Sequence, residues 1–367
     1  MKKLGFGTMR LPLLDSDNAK SIDYKQTEEM VDYFLDNGFT YFDTAYPYHE
    51  EMSEDAVNRC LVKRHPRDKF VLADKMPIMR VKSQSDYQMF FEEQLRRCGV
   101  DYFDYYLLHN IGKDRYENTC RFGGFEFIEE QKRKGNAVKI GFSFHDDAKL
   151  LDKILTEHPE VDFVQLQINY LDWDSQVTQS GLCYETAAAH NKPVIVMEPV
   201  KGGTLANLTP AAKEIFDNSN PTGSAASYAI KYAASLENVF MVLSGMSNMS
   251  QMKDNVSYMK DFSALTEHER DTIAKIKAEL DRSISIPCTG CKYCMEECPK
   301  NINIPSYFGL YNLYSVTGNK TNMYYERYKM GHGLASECIK CGKCEKICPQ
   351  HIDIRGNLEK FVDLYEK

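Results

Sequence analysis

Tyr41-Phe42-Asp43-Thr44-Ala45-Tyr46-Pro47-Tyr48 sets an acid and a phenol five residues apart, directly behind a short apolar run. Such a run ending in Asp reads as a β-strand turning into a loop at a reaction site. Single residues of these types are common at strand ends, so the stretch takes its meaning from what surrounds it.

Outward from it, short β-rich runs alternate with amphipathic helical stretches as far as residue 260. The runs are Leu4 to Met9, Thr40 to Thr44, Phe70 to Lys75, Tyr105 to His109, Val138 to Ser143, Phe163 to Asn169, Pro193 to Glu198 and Val239 to Gly245. Helices are expected near 26–37, 52–63, 85–98, 124–135, 147–157, 176–190 and 223–235, with Asn37-Gly38, Gly99, Gly135 and Asn191 as C-caps. An open doubly wound sheet would want a Gly-rich phosphate turn after an early strand, and none is present. The pattern predicts an α/β fold, a closed (β/α)8 TIM barrel with its reactive groups at the C-terminal strand ends.

The chain has 367 residues, 43% of them hydrophobic, enough for one large core and a second small unit. The predicted domains are a barrel over 1–265, a connecting helix over 266–283, and a mainly α-helical unit over 284–367. A formal net charge of −8 without a long basic cluster argues against nucleic acid as a partner. The absence of a bilayer-length apolar run argues against a membrane-spanning protein. Eight of the twelve cysteines crowd into two C-terminal clusters, which is metal-ligand usage in a reducing compartment and predicts a cytoplasmic protein.

Three successive strand ends carry chemistry: Asp43 with Tyr48, then Lys75, then His109. A strand-end Asp, a snorkelling Lys, a core His or a surface Tyr is ordinary alone. A barrel would gather all four at one mouth. There the ammonium would depress the phenol pKa, Asp43 would keep Lys75 charged, and His109 could orient a carbonyl oxygen.

These residues resemble the aldo-keto reductase family. The match runs in order through Gly7-Thr8-Met9, Asp43-Thr44-Ala45 with Tyr48, Lys75, Leu107-Leu108-His109, Ile140-Gly141-Phe142-Ser143, Gln165, Glu198-Pro199-Val200 and Ser244-Gly245-Met246-Ser247 with Asp254-Asn255. The resemblance implies Tyr48 as proton donor, Lys75 and Asp43 as the pair that lowers its pKa, and His109 as the group that positions a substrate carbonyl. It also implies NADPH or NADH across the barrel mouth, with Ser143 and Gln165 at the carboxamide. Lys201-Gly202-Gly203, Ser247, Asp254 and Asn255 would lie around the pyrophosphate and adenosine. Gly7, Thr8, Met9, Met197, Gly245 and Gln251 complete the implied cofactor set. Three positions depart from the family. Met197 stands where an aromatic ring often stacks on the nicotinamide, Met246 and Gln251 where cations often hold a 2′-phosphate, and Asn169 where an aromatic or His-Pro pair is frequent.

The second constellation is Cys288-x2-Cys291-x2-Cys294-x3-Cys298-Pro299, which recurs as Cys338-x2-Cys341-x2-Cys344-x3-Cys348-Pro349. This is the run that binds paired [4Fe-4S] clusters, the fourth cysteine of each run ligating the other cluster. Cys288, Cys291, Cys294 and Cys348 are assigned to one cluster, and Cys338, Cys341, Cys344 and Cys298 to the other. Structural zinc would pair two CxxC knuckles instead. The long interval between the runs resembles the α-helical dicluster ferredoxin type. Lys300 and Ile302 after the first run match Gln350 and Ile352 after the second, the mark of an internal duplication. Tyr307, Tyr311, Tyr314, Tyr324, Tyr325 and Tyr328 are expected to pack this small unit.

The expected activity is NAD(P)H-dependent reduction of a small-molecule aldehyde or ketone, with the iron-sulfur unit exchanging electrons with a ferredoxin-like or flavoprotein partner. Nicotinamide gives a hydride and each cluster passes one electron, so a flavin converter is conceivable, although no motif announces one. The alternative is an electron-transfer protein whose barrel does no carbonyl chemistry. The loops Asn110 to Arg121 and Tyr170 to Gln176, which includes Trp173, are the expected specificity elements.

Overall fold

The computed structural model describes residues 1–175, 178–282, 285–286, 288, 290, 292–348 and 350–367. Eight parallel strands close a barrel in chain order: β1 Leu4–Gly7, β2 Tyr41–Asp43, β3 Val71–Met76, β4 Phe103–Ile111, β5 Ala137–Phe144, β6 Phe163–Gln167, β7 Val194–Met197 and β8 Val239–Ser244.

Side chains alternate along each strand, and the alternation places the site. Tyr41, Ala73, Leu107, Phe163, Ile195, Met241 and Leu243 point inward and fill the barrel as one cluster. Moving two residues toward the C-terminal end gives Asp43, Lys75, His109, Gln165 and Met197, which therefore form the rim above that plug. The residues between them face the helices, where Phe6, Phe34, Phe42 and Phe91 belong to the larger outer core. Gly141 is required inside, because a Cβ there would run into the Phe163 carbonyl.

The caps follow the sequence. Gly99 and Gly135 end their helices at φ 71° and 80°, and Asn191 takes φ 55°. Several boundaries differ from expectation. β1 stops at Gly7, and Thr8–Arg10 forms a short 3-10 turn that leaves Met9 54% exposed. The expected helix over 52–63 is a short α-helix, Ser53–Val57, running into a π-turn at Asn58–Val62. The expected loop Asn110 to Arg121 instead extends β4 to Ile111 and then forms the helix Lys113–Arg121. Helices Pro210–Asn218 and Met249–Met259 have no counterpart in the sequence reading.

The chain divides into two compact units. The first holds the barrel; the second holds Asp271–Lys367 together with Leu208–Asn220 and the short segment that begins at Asp174. The helix Glu267–Arg282, expected as a plain connector, is split between them after Arg270.

The second unit repeats itself. Left-handed residues at Gly290, Lys292 and Asn301 recur at Lys340, Gly342 and His351, the same offset that separates the two cysteine runs. Each run contains a short helix and is followed by a long one: Tyr293–Glu296 and then Ile304–Thr317, Lys343–Ile347 and then Ile354–Tyr365. Tyr307 stacks on Phe361 at 4.9 Å, and Phe361 on Tyr365 at 4.7 Å, so Tyr307 and Tyr325 pack the interior as expected. Among the described residues no helix is long and apolar enough to cross a membrane.

Candidate active site and cluster sites

At the rim of the barrel the Lys75 Nζ lies 2.5 Å from Asp43 Oδ1 and 2.6 Å from the Thr44 carbonyl. Lys75 is 1% exposed and Asp43 3%, so the ion pair is buried and depends on good geometry. The same ammonium reaches the Tyr48 hydroxyl and sits 4.8 Å from the centre of its ring. His109 meets that ring edge-on at 5.9 Å. The structure thus brings Asp43, Tyr48, Lys75 and His109 together.

Their electrostatics follow from burial first. Desolvation pushes the Asp43 carboxyl up, and Lys75 pulls it back. Burial works against the Lys75 ammonium, but Asp43 and Tyr48 hold its pKa above the ordinary lysine value. His109 is driven well below the usual imidazole range by burial and by the charges of Lys75, His145 and Arg115, so it is a neutral ring. Tyr48 corrects the sequence expectation: burial raises its phenol above the ordinary value, and the opposing pull of Lys75 does not fully offset it. The ammonium limits the rise rather than producing a net fall.

The loop bearing Tyr48 is firmly held. His49, Glu50 and Glu51 are consecutive left-handed residues, a strained path that persists only when its surroundings fix it. Ser53 N donates to the Tyr48 carbonyl at 3.2 Å. A chain of hydroxyls, Thr8 to Ser53 at 2.7 Å and Ser53 to Thr44 at 2.9 Å, ties β1 to the same loop, and Thr8 donates to the Asp43 carbonyl.

Of the residues implied for the nicotinamide, Ser143 and Gln165 are register partners on β5 and β6. Ser143 Oγ accepts from Asn110 N at 2.7 Å, whereas the buried Gln165 Oε1 has no partner among the described residues. An orphaned buried acceptor fits a carboxamide N–H donor. Gly202 and Gly203, at φ 64° and 102°, give the loop after β7 a backbone open to close approach. Lys201 is otherwise engaged: its Nζ lies 2.5 Å from Asp172 Oδ1, at 9% side-chain exposure. Asn255 donates to Ser244 Oγ and accepts from Tyr258, Asp254 accepts from Ser224, and Gln251 accepts from Ser247 N. Met246, read as facing the cofactor, is fully buried in the outer core.

Two features escaped the sequence. Asn169 is fully buried, donates to Asp172 Oδ2 and the Glu198 carbonyl, and accepts from Leu171 N and Asp172 N. It thus anchors Asp172, which holds Lys201. Arg10 lies against both rim loops: Gly245 packs on its side chain, and its guanidinium is 3.9 Å from Glu198. A cation immediately after β1 was the available signal.

Behind β3, facing away from the rim, Asp74 and Glu54 are both fully buried and hydrogen-bonded to each other. Burial raises Glu54 to about 7 and Asp74 well above the carboxylate range, so the pair shares a proton near neutrality. Arg97 pairs with Glu54 at 3.1 Å. Gln94 donates to Glu54 and to the Lys75 carbonyl, and accepts from Tyr106.

In the second unit the cysteines line two cavities. Cys298, Cys338, Cys341 and Cys344 share one; Cys288, Cys294 and Cys348 share the other. Each holds the fourth cysteine of the opposite run, the exchange required by paired clusters. Cys291 and Pro349 lie outside the described residues. Ile304 lines both cavities. Among the described residues no three His, Cys, Asp or Glu side chains converge on a single ion position. Cysteines spread around an apolar cavity suit a cluster rather than one zinc ion.

A closed parallel barrel with an Asp, Lys, Tyr and His set at its C-terminal rim, joined to a cysteine-lined helical unit, defines an oxidoreductase architecture. The family model "Aldo/keto reductase family" matches residues 3–278, so the chain belongs to that family; "4Fe-4S dicluster domain" matches residues 287–352. An aldo-keto reductase of Mycobacterium avium is 28% identical over 71% of this chain and 84% of its own length. A probable aldo-keto reductase of Glycine max is 31% identical, over 30% of this chain and only 33% of that protein. Among solved structures, an aldo-keto reductase from Bacillus halodurans shares 24% identity at a TM-score of 0.59, covering 75% of this chain and 91% of its own. One from Klebsiella pneumoniae in complex with NADPH shares 20% at 0.59, covering 75% and 90%. At such identity these structures bear on the barrel fold alone.

Proposed function

We propose that the barrel reduces a small aldehyde or ketone at the rim, with Tyr48 giving the proton. The observation that carries this is the buried Lys75, which bridges Asp43 and the Tyr48 hydroxyl. When bound, a reduced nicotinamide supplies the hydride to the carbonyl carbon. Tyr48 O–H donates to the carbonyl oxygen, and Lys75 stabilises the phenolate left behind. Asp43 keeps Lys75 charged, and neutral His109 donates a ring N–H that orients the carbonyl. Balance holds: the carbonyl gains a hydride and a proton and becomes an alcohol.

Ser143, Gln165 and the Lys201–Gly203 loop would hold the cofactor. The Klebsiella structure is in complex with NADPH. Here the two positions are the uncharged Met246, which is buried, and Gln251, which accepts from Ser247 N, so neither supplies a cation to a 2′-phosphate, which favours NADH. The two [4Fe-4S] clusters would supply one-electron exchange from the second unit. Thiolate-bound clusters and the unpaired Cys60, Cys98, Cys120 and Cys183 fit a reducing cytoplasm.

The test is NADH and NADPH oxidation against a carbonyl panel with anaerobically purified protein. Tyr48→Phe should lower kcat by about 10³-fold while its iron content stays at the wild-type level. Undiminished turnover in that variant would remove Tyr48 from the chemistry and favour an electron-transfer protein with a silent barrel.

A further inference from the structure

The cavity of Cys298, Cys338, Cys341 and Cys344 is bordered by Lys300, Ile339 and Arg355. Ile339 is 58% exposed and Cys341 is the exposed cysteine of this cavity, Cys344 being buried; in the other cavity Cys294 and Cys348 are buried and Cys288 is half-buried. The short helix Lys343–Ile347 follows directly. Lys343, Lys346 and Ile347 share one side of it, being three and four residues apart, and Ile347 is 41% exposed.

The charges here are uneven. Lys340 pairs with Glu359 at 2.6 Å, Arg355 pairs with Glu345 at 2.9 Å, and Glu337 is taken up by the Leu334 N–H at 2.7 Å. Among the described residues Lys300, Lys343 and Lys346 make no ion pair. The segment Ile339–Ile347 thus presents two exposed isoleucines and two lysines without an ion partner, with Lys300 beside Ile339 at the cavity, on a chain whose net charge is −8.

We propose that this face docks an acidic one-electron carrier protein at the cluster held by Cys298, Cys338, Cys341 and Cys344. It rests on the reading that the second unit holds clusters. One electron moves: the reduced carrier is oxidised, the cluster is reduced, and no bond or proton changes place. Transient redox encounters bury little area and rely on charge complementarity for approach and orientation. The predominantly negative chain disfavours an acidic carrier elsewhere, so the three lysines select the face. The exposed isoleucines suit a protein surface better than a phosphate backbone.

The experiment uses full-length, anaerobically purified protein with iron and sulfide quantified. A plant-type [2Fe-2S] ferredoxin, an acidic protein, is titrated calorimetrically at low and high salt. The combined variant Lys300→Glu, Lys343→Glu, Lys346→Glu should raise Kd by at least about tenfold at low salt, with wild-type binding weakening as salt rises. A barrel-surface control, Lys25→Glu, Lys63→Glu, Lys149→Glu, should bind as the wild type does. Equal affinity in both combined variants, equal loss in both, or no binding by iron-replete wild type would overturn the docking face alone. Wild type lacking iron would overturn it together with the cluster reading. Lysine-dependent binding of duplex DNA without ferredoxin binding would reassign the face to a polyanion.

Discussion

The barrel and the C-terminal unit solve the problem of a stable interior in opposite ways. The barrel is filled by its own side chains: an inner plug around Leu107 and Phe163, and an outer layer rich in phenylalanine. In the second unit Cys294, Cys344 and Cys348 belong to the core itself, and two cysteine-lined cavities interrupt it. A small core with interior cavities loses contacts it cannot recover by itself. This predicts a barrel stable without the second unit's iron, and a second unit whose stability depends on binding it.

Removing iron with an anaerobic chelator should break the comparison most visibly. The second unit should lose its cooperative far-UV transition, while the transition reported by Trp173, the chain's only tryptophan, should stay in place. Simultaneous loss of both transitions would show that the barrel is not self-sufficient. Sharper still is Cys298→Ala. Because Cys298 lies with the second run's cysteines, the variant should lose about half the iron and specifically the cluster beside Cys341. Selective loss of the cluster beside Cys294 would refute the exchange.

Within the barrel, Asn169→Ala leaves Leu171 N and Asp172 N without their acceptor and should cost about 2 kcal/mol in urea unfolding, with a raised KM for the nicotinamide cofactor. A change confined to stability would sever Asn169 from the cofactor loop.

The smallest effect expected is that of Glu54→Gln. Glu54 titrates near 7 in the fold, above its unfolded value, so its contribution is complete below the unfolded pKa and is lost as pH rises through 7. The variant should show a flatter dependence of the urea midpoint between about pH 4.5 and 7. Depressed His109 acts in the opposite sense, its contribution falling away below the ordinary histidine pKa, and is common to both proteins. Identical pH profiles would mean that Glu54 and Asp74 do not share a proton.

What was legible in the sequence was what chemistry or periodicity makes local. The cysteine spacing reflects bond lengths around iron, and the described cysteines fall into two cavities with the fourth cysteine of each run beside the other run, the grouping that spacing predicts. Asp43, Lys75 and His109 were readable because a two-residue period and strand order put them on one rim. Pairings between loops were not: Lys201 looked free for phosphate until Asp172 was placed beside it, and nothing in the sequence singled out Asp74 until Glu54 met it from a helix. Tyr48 shows the limit of pairwise thinking, since proximity to Lys75 was foreseeable but the larger effect of burial required the fold.

One further consequence lies in the backbone after β7. Glu198 and Lys201 adopt left-handed conformations that non-glycine residues ordinarily avoid, and Asn169 and Asp172 from the neighbouring turn hold them there. A loop fixed in this way has lost its conformational freedom before any ligand arrives. If it receives the cofactor as assigned, binding need not order it, and affinity can rest on fewer direct contacts.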